Sequence, residues 1–345
     1  MAGDSGCAPS ALSETGIAPA LVGVTSSLVN PNVRTFAGLL AVALTWACGG
    51  AANSKPPAAT AASTASAEWA PPGEAAIPAD SQGAAIRRGL ALIRATPDSL
   101  PRYATSNLRC VSCHQMDGLK ATAAPLYGAY VRFPKYLSRT GAVVTIADRV
   151  NYCFTRSLAG NALPSDSREM ADIIAYLAFI SRGLTVGDKT PGADGLLAMN
   201  DTLVGDSKRG RELFTAKRCA QCHGPDGAGL IAGVPALWGA KSYAIGASMA
   251  RLERAASFIS HNMPQDLPGT LTAQEAFDLA AFVNSHERPD SPGKDNDYPA
   301  GGAPRDVPYA VKGHAPFNPP PTLVPRANPK GATVAAPPSV RRGAQ

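Results

Sequence analysis

Cys110-Val-Ser-Cys113-His114 and Cys219-Ala-Gln-Cys222-His223 decide how this chain is read. In each run two thiols can add across the vinyl groups of a haem. The histidine that follows is placed to ligate the iron from one side. A single match could be chance, or a redox or zinc site. Two matches, one small domain apart, argue for two covalently bound c-type haems. A pair of zinc half-sites is the alternative, and a histidine directly after the second cysteine suits it less well.

Working outward, each motif is flanked by helical periodicity. Before the first, Gln82 to Ala95 places Ile86, Leu90 and Ile93 on one face. The closing helix of that module is expected to begin at Asp166, with Glu169 as its capping-box partner, and to run through Met170, Ile173, Ile174 and Leu177. In the second module Asp206 caps a helix holding Leu213 and Phe214, and Thr272 with Glu275 opens another holding Phe277, Ala281 and Phe282. Gly89 and Gly210 in the leading helices, with Tyr176 and Phe282 in the closing ones, resemble the helix crossing of class I cytochromes c. No strand pattern stands out. The expected fold is all-α: two class I cytochrome c-like domains in tandem, each with one covalently bound haem c, plus an extended C-terminal tail.

The 345 residues divide accordingly into a leader (1–48), a disordered tether (49–82), domain 1 (83–185), a linker (186–200), domain 2 (201–290) and a Pro-rich tail (291–345) expected to wrap domain 2. The run from Phe36 to Trp46 after Arg34 is too short to span a bilayer and has the form of a signal h-region. It ends at Ala47-Cys48-Gly49-Gly50, so Cys48 is a candidate lipid anchor, with ordinary cleavage nearby as the alternative. The stretch before Arg34 is long for a leader and lacks positive charge, which suggests a translation start downstream of Met1 and leaves Cys7 without a role. Covalent haem attachment and this leader place the protein in the periplasm.

The net charge of +6 is uneven. Residues 83–185 hold 13 Lys and Arg against 6 Asp and Glu, whereas residues 186–290 hold 10 against 12. The first domain is therefore the better host for an anion. Basic residues are not interleaved with aromatics and no nucleic-acid motif is present, so a nucleic-acid partner is not expected.

The two sides of the haems opposite His114 and His223 differ. In domain 2, Met263-Pro264 lies ahead of the closing helix and Met263 is the preferred distal ligand, with His261 as competitor and Met249 assigned to the core. The equivalent pair in domain 1 is Leu163-Pro164, and leucine cannot ligate iron. Met170 falls on the apolar face of its helix, and Met116 is too close to His114 to cross the haem. Cys153 is the remaining cysteine of the haem region, so His114/Cys153 ligation is favoured over an inert buried thiol. Arg132, Arg139, Arg149 and Arg156 surround it in sequence, and Arg149 shares a helix face with it. Guanidinium groups lower a thiol pKa and hold an oxyanion through paired donors. Arg132 and Arg156 are assigned instead to haem propionates or solvent.

The run Arg149-Val-Asn-Tyr-Cys153-Phe-Thr-Arg-Ser157-Leu-Ala-Gly-Asn-Ala-Leu163-Pro164, with Ser167-Arg-Glu-Met170, resembles the active-site segment of dihaem thiosulfate dehydrogenases. Pro235-Ala-Leu-Trp-Gly239, Ala256-Ser-Phe-Ile259, Asn262-Met263-Pro264 and Asp297-Tyr298-Pro299 extend the likeness over roughly residues 83 to 315. The resemblance implies that Cys153 is the active-site thiolate, surrounded by Arg139, Arg149 and Ser157. It implies oxidation of two thiosulfates to tetrathionate, with two electrons passed through the second haem to a small soluble c-type cytochrome or similar acceptor. Some members carry a lysine beside the distal methionine; Asn262 stands there in this chain. Reverse operation as a tetrathionate reductase, a non-catalytic electron-transfer cytochrome and a dihaem peroxidase are the alternatives.

Overall fold

The computed structural model describes residues 69–190, 199, 203–317, 321–324 and 326. The leader, Cys7, Cys48 and most of the expected tether and linker lie outside them. Two helical modules follow one another. In the first, helix α1 (Ser81–Arg94) is started by Asp80, whose carboxylate accepts from the backbone N–H of Gly83, and it turns Ile86, Leu90 and Ile93 into the core. A short helix α2 (Ile146–Tyr152) runs into a single π-helical turn (Cys153–Ser157), and helix α3 (Arg168–Phe179) closes the module. In the second, α4 (Ser207–Ala216), α5 (Leu252–Asn262) and α6 (Ala273–Asn284) play the corresponding parts. Asp206 caps α4, and Thr272 with Glu275 forms the capping box of α6, both as expected.

The start of α3 differs from expectation. Its N-cap is Ser167, whose hydroxyl accepts from the backbone N–H of Met170, so Asp166 and Glu169 do not form a capping box. A serine one residue later offers the same oxygen at the right offset from Met170, and the helix begins there.

The helix crossings are the shared architectural device. A Cβ on Gly89 would stand 2.0 Å from the carbonyl oxygen of Asp172, and one on Gly210 would stand 2.0 Å from that of Asp278. Only glycine permits these approaches. Each crossing is clamped by the residue before the glycine. Arg88 grips Asp172 with Nε and Nη2 at 2.7 and 2.8 Å, and Arg209 grips Asp278 at 2.8 and 2.9 Å.

Strands are present but minimal. Lys135–Leu137 (β1) pairs antiparallel with Ala142–Val144 (β2), and Arg288–Pro289 (β3) pairs in parallel with Leu323–Val324 (β4). Three- and two-residue ladders are too short to leave an alternating pattern in the sequence. Residues from Trp69 onward belong to the folded body rather than to a tether. Ile77 is buried in the core, and Trp69 stacks edge-on against Tyr127 while its indole N–H donates to Arg182 O.

The tail takes an unexpected course. Tyr298, Val307 and Tyr309 join the hydrophobic core of the first module, so the tail packs on domain 1 as well as domain 2. Among the described residues no helix is long and apolar enough to cross a membrane.

Candidate active site around Cys153

Both attachment motifs form single helical turns, Cys110–Cys113 and Ala220–His223. In each module the Nδ1 of the following histidine meets a backbone carbonyl, Ala124 O for His114 and Pro235 O for His223. With Nδ1 engaged, Nε2 is the nitrogen left to ligate a metal. Burial lowers the pKa of His223, which keeps its imidazole neutral, as a ligand must be. Two thiols beside a histidine with a free Nε2 fit the covalent attachment and proximal ligation of a haem in both modules.

The first module holds a third cysteine. Burial pushes the Cys110 and Cys113 thiols up to about 12, with the charge of Cys153 adding to it. Cys153 itself goes the other way. Burial raises it as well, but the Arg149 guanidinium and then His114 outweigh that cost and bring it down to about 6. Arg149 Nη1 donates to Cys153 Sγ at 3.1 Å, and the His114 side chain reaches the same sulfur. Cys153 and His114 are therefore brought face to face from segments far apart in sequence.

Local structure explains the placement of the thiolate. Thr145 and Asp148 form a reciprocal capping box that starts α2 and fixes its phase. Arg149 and Cys153 then share a face as residues i and i+4. Helical geometry widens into a π turn at Cys153, a distortion common at functional sites. Asn151 holds the Leu163 loop from both sides, donating to Leu163 O at 2.9 Å and accepting from Leu163 N at 2.8 Å. Leu163 is buried in the core, and its side chain fills the space instead of offering a ligand.

The surrounding arginines divide. Arg149 is at the sulfur. Arg139 donates to Gly246 O at 3.0 Å and Tyr298 Oη at 3.3 Å and lies 3.7 Å from Asp297. Arg156 was assigned from sequence to propionate or solvent, but it forms a two-pronged ion pair with Asp297, both contacts at 2.6 Å. Tyr309 donates to the same carboxylate at 2.7 Å. Ser157 ends the π turn, four residues beyond Cys153. The tail thus supplies the counter-charge for two arginines of the Cys153 region. Arg326 adds a further tie, donating to the carbonyls of Thr155, Ala159 and Gly160 just past the cysteine. Asp297 and Arg326 lie in a Pro-rich stretch without periodicity, and only the Asp297-Tyr298-Pro299 match pointed to part of this.

In the second module Met263 follows directly on α5 and is half-buried. His261 turns its Nδ1 back onto Ser257 O at 2.8 Å within the helix. Met249 packs between two hydrophobic clusters and Met170 is fully buried, both as core, while Met116 is exposed. Asn262 is wholly buried and bridges the modules. Its amide nitrogen donates to Thr122 O at 3.0 Å, and its oxygen accepts from the Thr122 hydroxyl at 2.9 Å. Thr122 is two residues from the carbonyl that holds His114, so the loops beside both haem sites are joined.

Comparison with known proteins agrees with this two-part layout. Residues 102–186 match the SoxA/TsdA cytochrome c domain, and residues 207–287 match the cytochrome c domain. A thiosulfate dehydrogenase of Psychrobacter arcticus is 40% identical over 241 residues, covering 68% of this chain and 73% of that protein. One from Allochromatium vinosum is 37% identical, covering 63% of this chain and 83% of that protein. The solved thiosulfate dehydrogenase (TsdBA) of Marichromatium purpuratum superposes with a TM-score of 0.60 at 32% identity, covering 66% of this chain. This chain spans about half of that protein, 51%. The two cytochrome c domains each carry one covalently bound haem c.

Proposed function

The chain belongs to the thiosulfate dehydrogenase family, and from that premise we propose that it oxidises two thiosulfates to tetrathionate at Cys153 and exports the two electrons through the second domain. The observation that carries this reading is the Arg149–Cys153 contact opposite His114, which holds a thiolate beside a fixed positive charge at a haem site.

The residues act as follows. Cys110 and Cys113 attach the first haem and Cys219 and Cys222 the second, with His114 and His223 as proximal ligands. Cys153 and Met263 would hold the iron of the first and second haem from the other side. Arg149 draws the thiosulfate dianion to the sulfur, with Arg139 and Ser157 flanking it. The sulfane sulfur of thiosulfate bonds to Cys153 Sγ, giving a cysteine S-thiosulfonate and releasing two electrons. A second thiosulfate attacks the sulfane sulfur of that adduct. The sulfur–sulfur bond to Cys153 breaks, tetrathionate leaves and the thiolate returns. Bound in the two domains, the haems would supply one-electron acceptors for the two electrons released.

The acceptor is a small c-type cytochrome or similar carrier that docks on the second domain. The location is the periplasm, which covalent haem attachment and the leader-like run support. Cys48 is the candidate lipid attachment point, and mass spectrometry of the mature N-terminus distinguishes lipidation there from plain cleavage.

Thiosulfate-dependent reduction of ferricyanide tests the reading. The holoenzyme is expected to support it and Cys153→Gly to lose at least about a thousandfold, as for removal of a nucleophile. Turnover unchanged in the variant would sink the mechanism.

A further inference from the structure

The carbonyl that meets His114 belongs to a strained residue. Ala124 has a φ of +47°, in the left-handed region where a Cβ crowds its own backbone. Such a conformation persists only where the surrounding structure enforces it. Part of the enforcement is local. Ala123 donates to Lys120 O at 3.0 Å, and Lys120 donates to Gln115 O, directly after His114, at 3.3 Å. The rest comes from the other module. Asn262 ends α5, just before Met263, and is wholly buried. Its amide nitrogen donates to Thr122 O and Phe258 O, each at 3.0 Å, and its oxygen accepts from the Thr122 hydroxyl at 2.9 Å. With both ends of the amide engaged, Asn262 braces the loop that carries Ala124.

The opposite seam provides a contrast. Asn107, three residues before Cys110, reaches across to the second module beside Pro235, whose carbonyl faces His223. Its oxygen accepts from the backbone N–H of Ala236 at 2.9 Å, and its amide donates to Ala228 O at 3.4 Å. Each histidine-holding loop is thus tied to the other module by one asparagine. The two ties are unequal. Asn107 is exposed, so water competes for its bonds, and the ring of Pro235 fixes its own φ without outside help. The Asn262 brace is sealed from water and holds a backbone that would otherwise relax. Removing it leaves the hydroxyl and carbonyl of Thr122 without their partner inside the protein.

We propose that Asn262 is a positioning residue for His114, and that through Thr122 it sets the reduction potential of the first haem from the second module. A histidine that donates its Nδ1–H to a well-placed carbonyl is a stronger base at Nε2. A more basic ligand favours ferric over ferrous iron, so second-shell hydrogen bonds tune the potential. Loosening the loop from Thr122 to Ala124 weakens that donation and makes the first haem easier to reduce. Asn262 also precedes Met263, so one helix end bears on both sites. This inference rests on the two bound haems and not on the identity of the substrate, and its test contains no thiosulfate.

Spectroelectrochemical titration of the holoenzyme resolves the two haems, and the potential that moves in Cys153→Gly marks the first. Asn262→Leu is close in volume and cannot make the bonds. It is expected to shift the reduction equilibrium of the first haem about tenfold toward the ferrous form, about 59 mV upward for one electron. Thr122→Val deletes a single hydroxyl and is expected to shift the same haem the same way by less, while Thr122→Ser retains the wild-type value. The double variant Asn262→Leu with Thr122→Val is expected to go no further than Asn262→Leu alone, as for two halves of one contact. A shift confined to the second haem would overturn the proposal, as would additive shifts in the double variant. If Asn262→Leu does not fold, Thr122→Val decides on the same readout, and an unmoved first haem in either haem-loaded variant contradicts the proposal.

Discussion

The two modules share a scaffold and differ in what they offer a metal. Arg88-Gly89 against Asp172 and Tyr176 matches Arg209-Gly210 against Asp278 and Phe282, even to the same 2.0 Å approach of glycine to carbonyl. The histidines of the two attachment motifs are oriented by the same kind of contact, to Ala124 O and Pro235 O. Opposite those histidines the likeness ends. The first module fills the methionine position with buried Leu163 and presents Cys153, held beside Arg149. The second keeps Met263, half-buried directly after α5. One scaffold thus serves two purposes, because the crossing of the helices and the side chain opposite the histidine are set by different parts of the sequence.

The scaffold half of this comparison is the more severe to test. Gly89→Ala and Gly210→Ala each force a Cβ into a backbone carbonyl, and each is expected to destabilise the holoenzyme by about 3 kcal/mol. Thermal unfolding followed at the haem bands checks this. Near-wild-type stability in one variant alone would show that the two crossings are not equivalent.

On the site side, Arg149→Ala removes a charge-assisted contact to the thiolate. It is expected to lower kcat/KM for thiosulfate by about 2 kcal/mol, a factor of roughly 30, with Arg149→Lys recovering part of it. Equal activity in all three enzymes would separate Arg149 from anion binding and narrow its role to packing.

The smallest effect lies in the caps. Thr272→Ala and Ser167→Ala each remove a hydroxyl acceptor at the start of a closing helix and are expected to cost about 1 kcal/mol in denaturant unfolding. No loss in Ser167→Ala would return the start of α3 to Asp166.

Local signals were legible in the sequence and distant ones were not. The haem motifs, the apolar faces of α1 and α3, the caps Asp206 and Thr272, and the substitution of Leu163 for methionine all depend on short spacing. Each could be read from a few neighbouring residues. Ser167 displaced Asp166 because two adjacent oxygen-bearing residues compete for one cap, and only the backbone path selects between them. The ion pair of Arg156 with Asp297 spans 141 positions, and no periodic pattern connects them. The same holds for Arg326 on the carbonyls beyond Cys153, and for the tail residues that enter the core of the first module.

Electron paramagnetic resonance of the ferric holoenzyme, compared with Cys153→Gly, tests the difference between the modules most directly. The account predicts two low-spin haems in the wild type, one with thiolate-type g values and one of the histidine–methionine type. In the variant only the thiolate-type signal should vanish. Its absence from the wild type, or its survival without Cys153, would contradict the division into one catalytic and one electron-transfer haem.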